Sequence, residues 1–175
     1  MKVGKECLEG CLRGESAYQR ELYDLLVPYL NGICGRYLDN TSHRKDVLQE
    51  AFILIFKKIN QYDSSKGAFH SWASRIVINL SLKQNKSGKK LVHFQAEKGE
   101  ETIAVAPDVL SQMSNEGLIR FLRTMPPKFY EVFILFVVDG YAHEEIAEIL
   151  GIKVSLSRKR LVRARTWFNF DQSIE

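Results

Sequence analysis

Between Lys153 and Arg165 the chain reads "KVSLSRKRLVRAR", which holds six cations and no acid. Guanidinium and ammonium groups at that density suit phosphate oxygens, and an Arg fork also suits the edge of a base. The preceding stretch, "YAHEEIAEILGI", supplies what could aim them. Ile146, Ala147 and Leu150 fall on one side of a short helix, and Gly151 can take the left-handed conformation that ends it. Ile152 then plugs the corner. A second helix starts at Ser155 or a neighbour and turns Leu161, Ala164 and Phe168 inward. This is the pattern of a helix-turn-helix whose second helix is cationic. Arg158, Lys159, Val162 and Arg163 are expected on its outward side near the N-terminal end, where base edges would lie, with Ser157 placed among them. Arg160 and Arg165 are better set for phosphates, which fix position and not sequence. An ordinary helical hairpin would not need this charge.

Other chemistries fail on residue type or spacing. His143-Glu144 begins like a zinc-protease HExxH, but Ala147 stands where the second His belongs. His43, His70 and His93 show no ligand spacing, and neither GxSxG nor a Gly-rich phosphate loop occurs. No catalytic residue, metal or cofactor is therefore expected. Cys7, Cys11 and Cys34 form an odd set without a CxxC pair, so they read as semi-buried free thiols in a reducing cytosol. No stretch resembles a signal peptide, and no apolar run approaches about 20 residues, so a cytoplasmic chain without membrane insertion is expected.

Positioning these groups requires helices. The 175 residues are 45% hydrophobic and 26% charged with a net charge of +4, enough apolar side chains for one medium domain or two small ones. Helical spacing runs through Ala17, Leu22, Leu25, Leu26, Tyr29, Ile33 and Tyr37, with Pro28 expected to open a second helix within that span. Ser42 is a candidate cap for the next helix, which places Val47, Ala51, Phe52, Ile55 and Ile59 on one face. Phe69, Trp72, Ala73, Ile76, Val77 and Leu80 form a further stripe, with Phe69 and Trp72 assigned mainly to the core. From Gln84 to Asn115 the period fails, which predicts a linker of about 30 residues with room for one short helix. Spacing returns at Leu118, Ile119 and Leu122, breaks at Pro126-Pro127, and resumes with Phe129, Val132, Phe133 and Phe136 before "DGY". No strand alternation appears. The expected architecture is all-α: an N-terminal domain over 1–84, a linker over 85–115, and a C-terminal helix-turn-helix domain over 116–175.

Two N-terminal runs, "HRKDVLQEAFILIFKKINQYD" and "GAFHSWASRIVINLSLK", resemble the signature helices of bacterial RNA polymerase sigma factors, most closely the extracytoplasmic-function (ECF) group. Asp46, Gln49 and Glu50 match the family's D-x-x-Q-E. Phe69, Trp72, Ile76 and Asn79 match its F-x-x-W-x-x-x-I-x-x-N. "LRTMPPKFYEVFIL" resembles the helix before the family's helix-turn-helix, with Met125-Pro126 in place of leucine-proline. The resemblance covers about residues 16–83 and 118–168, with the motifs in family order.

On a helix, Asp46, Gln49 and Glu50 share a polar face opposite Val47 and Ala51. Taken alone that face reads as ordinary helix solubility; the resemblance implies that it binds the coiled coil of the largest subunit of core RNA polymerase. Unstacked bases need polar pockets, aromatic support and cations. The resemblance implies that Asn79 lines a pocket for a flipped minus-10 base, with Lys66, His70, Arg75 and Lys83 along the strand. It implies minus-35 contacts from the last helix, a linker threading the polymerase channels, and no catalysis by the chain itself. A separate anti-sigma factor is expected, because no such sequence occurs here. The chain departs from many relatives where Ser155-Leu156-Ser157 replaces Gly-Thr-Val. Ser155 thus becomes the candidate cap, which would shift the base-reading register by one residue. The rival reading is a ligand-responsive helix-turn-helix regulator that ignores core polymerase; a structural or adaptor protein with an incidental basic helix is more remote.

Overall fold

The computed structural model describes residues 3–87 and 115–169. Nearly all of the expected linker, with any helix in it, lies outside those residues. The chain divides into two compact units, Met1–Val92 and His93–Glu175. Among the described residues every regular element is helical.

The first unit opens with α1 (Lys5–Leu12), which buries Cys7, Gly10 and Cys11 against the next helix. Gly10 is required there, because a Cβ would run into the Tyr18 ring. Helix α2 (Ser16–Tyr37) runs unbroken through Pro28, contrary to the expected helix start at that residue. Proline deprives the Asp24 carbonyl of its intrahelical donor. Pro28 and Asp24 are both exposed, so water can satisfy that oxygen while Leu22, Leu26, Leu30 and Ile33 stay buried on the other side. Helix α3 (Thr41–Lys58) is capped by Asn40, not Ser42: the Asn40 Oδ1 accepts the N–H groups of Ser42 and His43 at 2.8 and 3.2 Å. Val47, Ala51, Phe52 and Ile55 are buried as the spacing predicts, and Ile59 follows them in a 3-10 turn.

Helix α4 (Phe69–Ser87) packs against both α2 and α3. It is therefore buried over most of its circumference, including Phe69, Ala73, Val77, Ile78, Leu80, Ser81 and Leu82. It continues past residue 84, where the domain was expected to end, and Asn85 Nδ2 donates to the Tyr37 carbonyl at 2.8 Å.

The second unit comprises α5 (Asn115–Leu122), α6 (Pro127–Phe133), α7 (His143–Leu150) and α8 (Val154–Asn169). Pro127 occupies the first position of α6, where its missing N–H costs nothing. A π-helical turn, Ile134–Val138, extends α6, with the Asp139 N–H reaching back five residues to the Ile134 carbonyl at 3.0 Å. That wider turn changes the phase. Within it Ile134 and Leu135 are fully buried and Phe136 is only half-buried; before it Val132 is buried and Phe129 and Phe133 are half-buried. Gly140, at φ 73°, then ends the helix as "DGY" predicts.

Candidate nucleic-acid interface

The turn between α7 and α8 has the geometry its sequence anticipates. Gly151 sits at φ 68°, ψ 39°, in the left-handed region. The next N–H, from Ile152, returns to the Ala147 carbonyl at 2.9 Å and closes the corner. At the other end of α7, Glu145 accepts the Ala142 N–H at 2.9 Å, and Ile146 and Ala147 enter the core. Helix α8 begins at Val154, and the Lys153 carbonyl accepts the N–H groups of Leu156 and Ser157 at 2.9 and 3.1 Å. Ser155 therefore lies inside the first turn and does not cap it.

The outward face of α8 carries Arg158, Lys159, Val162 and Arg163, all exposed, with Arg165 also exposed and Arg160 half-buried. Ser157 departs from the expected set. It is fully buried, one turn before Leu161 on the inward stripe that continues to Ala164. Its hydroxyl lies 2.9 Å from His143 Nδ1 in a hydrogen bond across the two helices. The His143 ring stacks on Phe136 at 4.5 Å between centroids, and burial, then the nearby Arg158, hold its pKa below the ordinary imidazole value. One residue along on each helix, Arg158 Nη2 donates to Glu144 Oε1 at 3.2 Å. Sequence reasoning set His143-Glu144 aside as an incomplete zinc motif and so missed both contacts. The available signal was the inward stripe itself: read back one turn from Leu161, it lands on Ser157. The Phe168 side chain lies outside the described residues.

In the first unit, α4 leaves one narrow polar strip uncovered. Arg75, Asn79 and Lys83 are exposed at successive i, i+4 steps, with Trp72 and Ile76 half-buried beside them. Trp72 is thus not sealed in the core: its ring lies 5.3 Å from Phe69 and 6.0 Å from Tyr62, forming an aromatic wall at the head of the strip. The other two expected strand-contacting residues are not gathered there. His70 lies toward α2, edge-on to Tyr29 at 5.7 Å, and Ser74 donates to its carbonyl at 2.6 Å. Lys66 sits in the 3-10 turn Ser64–Lys66, 3.7 Å from Asp63. On α3, Asp46, Gln49 and Glu50 are all exposed on the side away from buried Val47 and Ala51. Ile53, 60% exposed, continues that face and was not anticipated.

Among the described residues no group of three or more His, Cys, Asp or Glu could hold a metal ion. No helix there is long and apolar enough to cross a membrane.

Comparison with known proteins relates both units to one family. The model of sigma-70 region 2 matches residues 22–90, and that of sigma-70 region 4 matches residues 116–168. The chain is 25% identical over 174 residues to the ECF sigma factor SigW of Bacillus subtilis, covering 92% of each protein. It is 30% identical over 135 residues to the ECF sigma factor SigE of Mycolicibacterium smegmatis, covering 74% of this chain and 52% of that one. Among solved structures, the sigma factor RpoE of Bartonella quintana, crystallised with the anti-sigma factor NepR, superposes with a TM-score of 0.54 at 17% identity, covering 89% of this chain and 97% of that one.

The two matched regions together span most of the chain, which belongs to the sigma-70 family of RNA polymerase sigma factors. Within that family it is of the ECF type, a transcription initiation factor whose partners are core RNA polymerase and promoter DNA.

Proposed function

We propose that the α4 strip receives the melted minus-10 strand and that the outward face of α8 reads the minus-35 duplex. The observation that carries this reading is the pattern of burial on α4. A helix covered on almost every side leaves open one row of cation, amide and cation, headed by a half-buried tryptophan. Arg75 and Lys83 supply phosphate contacts, and Trp72 supplies a π-face at the edge of the strip. Asn79, between the cations, can donate to and accept from one base edge. Lys66 and His70 lie off the strip and serve the strand at its approach.

On α8, Arg158, Lys159, Val162 and Arg163 face the groove, while Arg160 and Arg165 hold phosphates; Ser157 is withdrawn from the contact set because it is buried. Asp46, Gln49 and Glu50 form the core-polymerase surface, where two carboxylates complement a basic helix of the partner. The chain contributes binding energy and no bond-making step. It works in the cytoplasm beside the polymerase, and a separate anti-sigma factor controls it, as the pairing of the Bartonella relative with NepR suggests. A ligand-responsive regulator would share the helix-turn-helix but would not need the polar face of α3 or the α4 strip.

Run-off transcription tests the reading. Templates selected from a random library by core polymerase plus this protein should share two sequence blocks, and core polymerase alone should select neither. Selection of equally specific duplex sites by the isolated protein, with no transcription on adding core polymerase, would favour the regulator.

A further inference from the structure

Two contacts join the first turns of α7 and α8, and they run in register. His143 meets Ser157 inside at 2.9 Å, and Glu144 meets Arg158 outside at 3.2 Å. The inner contact is buried at Ser157 and braced by the Phe136 ring, so it fixes how the two backbones approach each other. The outer contact lies alongside it, between two exposed side chains that the backbone approach brings within reach. Glu144 belongs to the first turn of α7, yet its carboxylate is held over the base-reading face of α8.

We infer that Glu144 is a specificity-determining residue: its carboxylate positions the Arg158 guanidinium toward a base edge and keeps it from swinging to the phosphates. This rests on the reading of Arg158 as a base contact. An unrestrained arginine on a DNA-facing helix has two attractive destinations, a base edge and the nearest phosphate, and only the first carries sequence information. One Glu144 oxygen engages a single nitrogen of the guanidinium, Nη2, and the fork has further N–H donors for a base. The same carboxylate opposes the phosphate backbone. It therefore lowers affinity for every duplex while sharpening the choice among them, as repulsive elements do in other specific interfaces. Both side chains are more than 60% exposed, so the pair contributes little to folding. Its effect belongs to recognition.

The test measures duplex binding by polymerase holoenzyme, formed with each variant of this protein, across a library randomised in the minus-35 block. Arg158→Ala alone should flatten the preference at one position. Glu144→Gln should raise affinity for unrelated duplexes yet lower discrimination at that same position about two- to five-fold, the scale of an exposed but oriented pair. In the double variant, Glu144→Gln should have no further effect at that position. Glu144→Asp, which keeps the charge on a shorter arm, should leave the general affinity low and recover only part of the discrimination. If Arg158→Ala flattens a position and Glu144→Gln leaves that preference intact, or if the two effects simply add, the positioning role is overturned. If Arg158→Ala flattens no position, the base-reading assignment fails first, and the inference falls with it.

Discussion

Reversing both acids of α3, Asp46→Arg with Glu50→Arg, should separate binding from folding. Both side chains are exposed and lie one turn apart, and among the described residues neither makes a hydrogen bond or ion pair. The substitutions therefore remove no contact that holds the first unit together. Exposed changes of this kind usually shift stability by no more than about 0.5 kcal/mol each, so about 1 kcal/mol for the pair and roughly 4–8 °C in Tm for a unit of this size. The binding effect is much larger. Opposite charges at about 4 Å in a water-like medium attract by about 1 kcal/mol, and reversal replaces that attraction with an equal repulsion. Each site then loses about 2 kcal/mol and the pair about 4 kcal/mol, close to three decades in Kd. Added salt should narrow the gap, because both carboxylates are solvent-exposed. The assay is direct titration of labelled protein with core polymerase, beside circular dichroism and a melting curve. A change in affinity below tenfold, at normal stability, would remove this face from the interface.

Three further outcomes follow from the geometry. Arg160→Ala should weaken binding to all duplexes alike and reduce the slope of log K against log salt by about 0.9, one phosphate contact; a change confined to one promoter position would reassign Arg160 to base reading. Gly10→Ala should destabilise the first unit by about 1–3 kcal/mol in denaturant titration, since the new methyl meets the Tyr18 ring, and Tyr18→Leu in the same chain should restore part of the loss; undiminished stability would show that the α1–α2 contact is slack. Burial, then the neighbouring Cys7, pushes the Cys11 thiol from 9.0 up to about 12, so it should resist alkylation at pH 8 until the chain is unfolded. Because the folded-state value is the higher one, its contribution to stability is complete below about pH 9 and is lost as pH rises from there toward 12; rapid labelling of folded protein at pH 8 would contradict that burial.

The parts of the fold that were legible carry strong local signals. Gly151 can end α7 without a steric cost, and the cations of α8 leave few alternatives for that helix. The stripe on α4 was visible because large apolar residues recur at helical spacing. What escaped notice had weak or misleading side chains. Helix α1 buries two cysteines and a glycine, which give little periodic signal. Pro28 signals a helix start by residue type, and its tolerance inside α2 depends on an exposed face that only the packing of that helix defines. The π turn after Phe133 slips the phase, so Phe136 is half-buried while Ile134 and Leu135 take the core. Ser157 was misplaced by its polarity: its position is inward, and the His143 partner that makes a buried hydroxyl acceptable comes from another helix. The candidate sites show the same division. Arg75, Asn79 and Lys83 came together through the family resemblance and share one exposed row of α4, whereas the separation of His70 depends on how α4 packs against α2.

The strip on α4 is most directly tested by permanganate footprinting of the melted strand with Asn79→Ala holoenzyme, run beside a melting curve of the variant. A base-holding residue predicts normal stability, normal core binding and normal minus-35 duplex binding, with reduced thymine reactivity in the opened region and a blurred preference at one minus-10 position. Full strand opening by Asn79→Ala at unchanged stability, with the minus-10 preference intact, would contradict it.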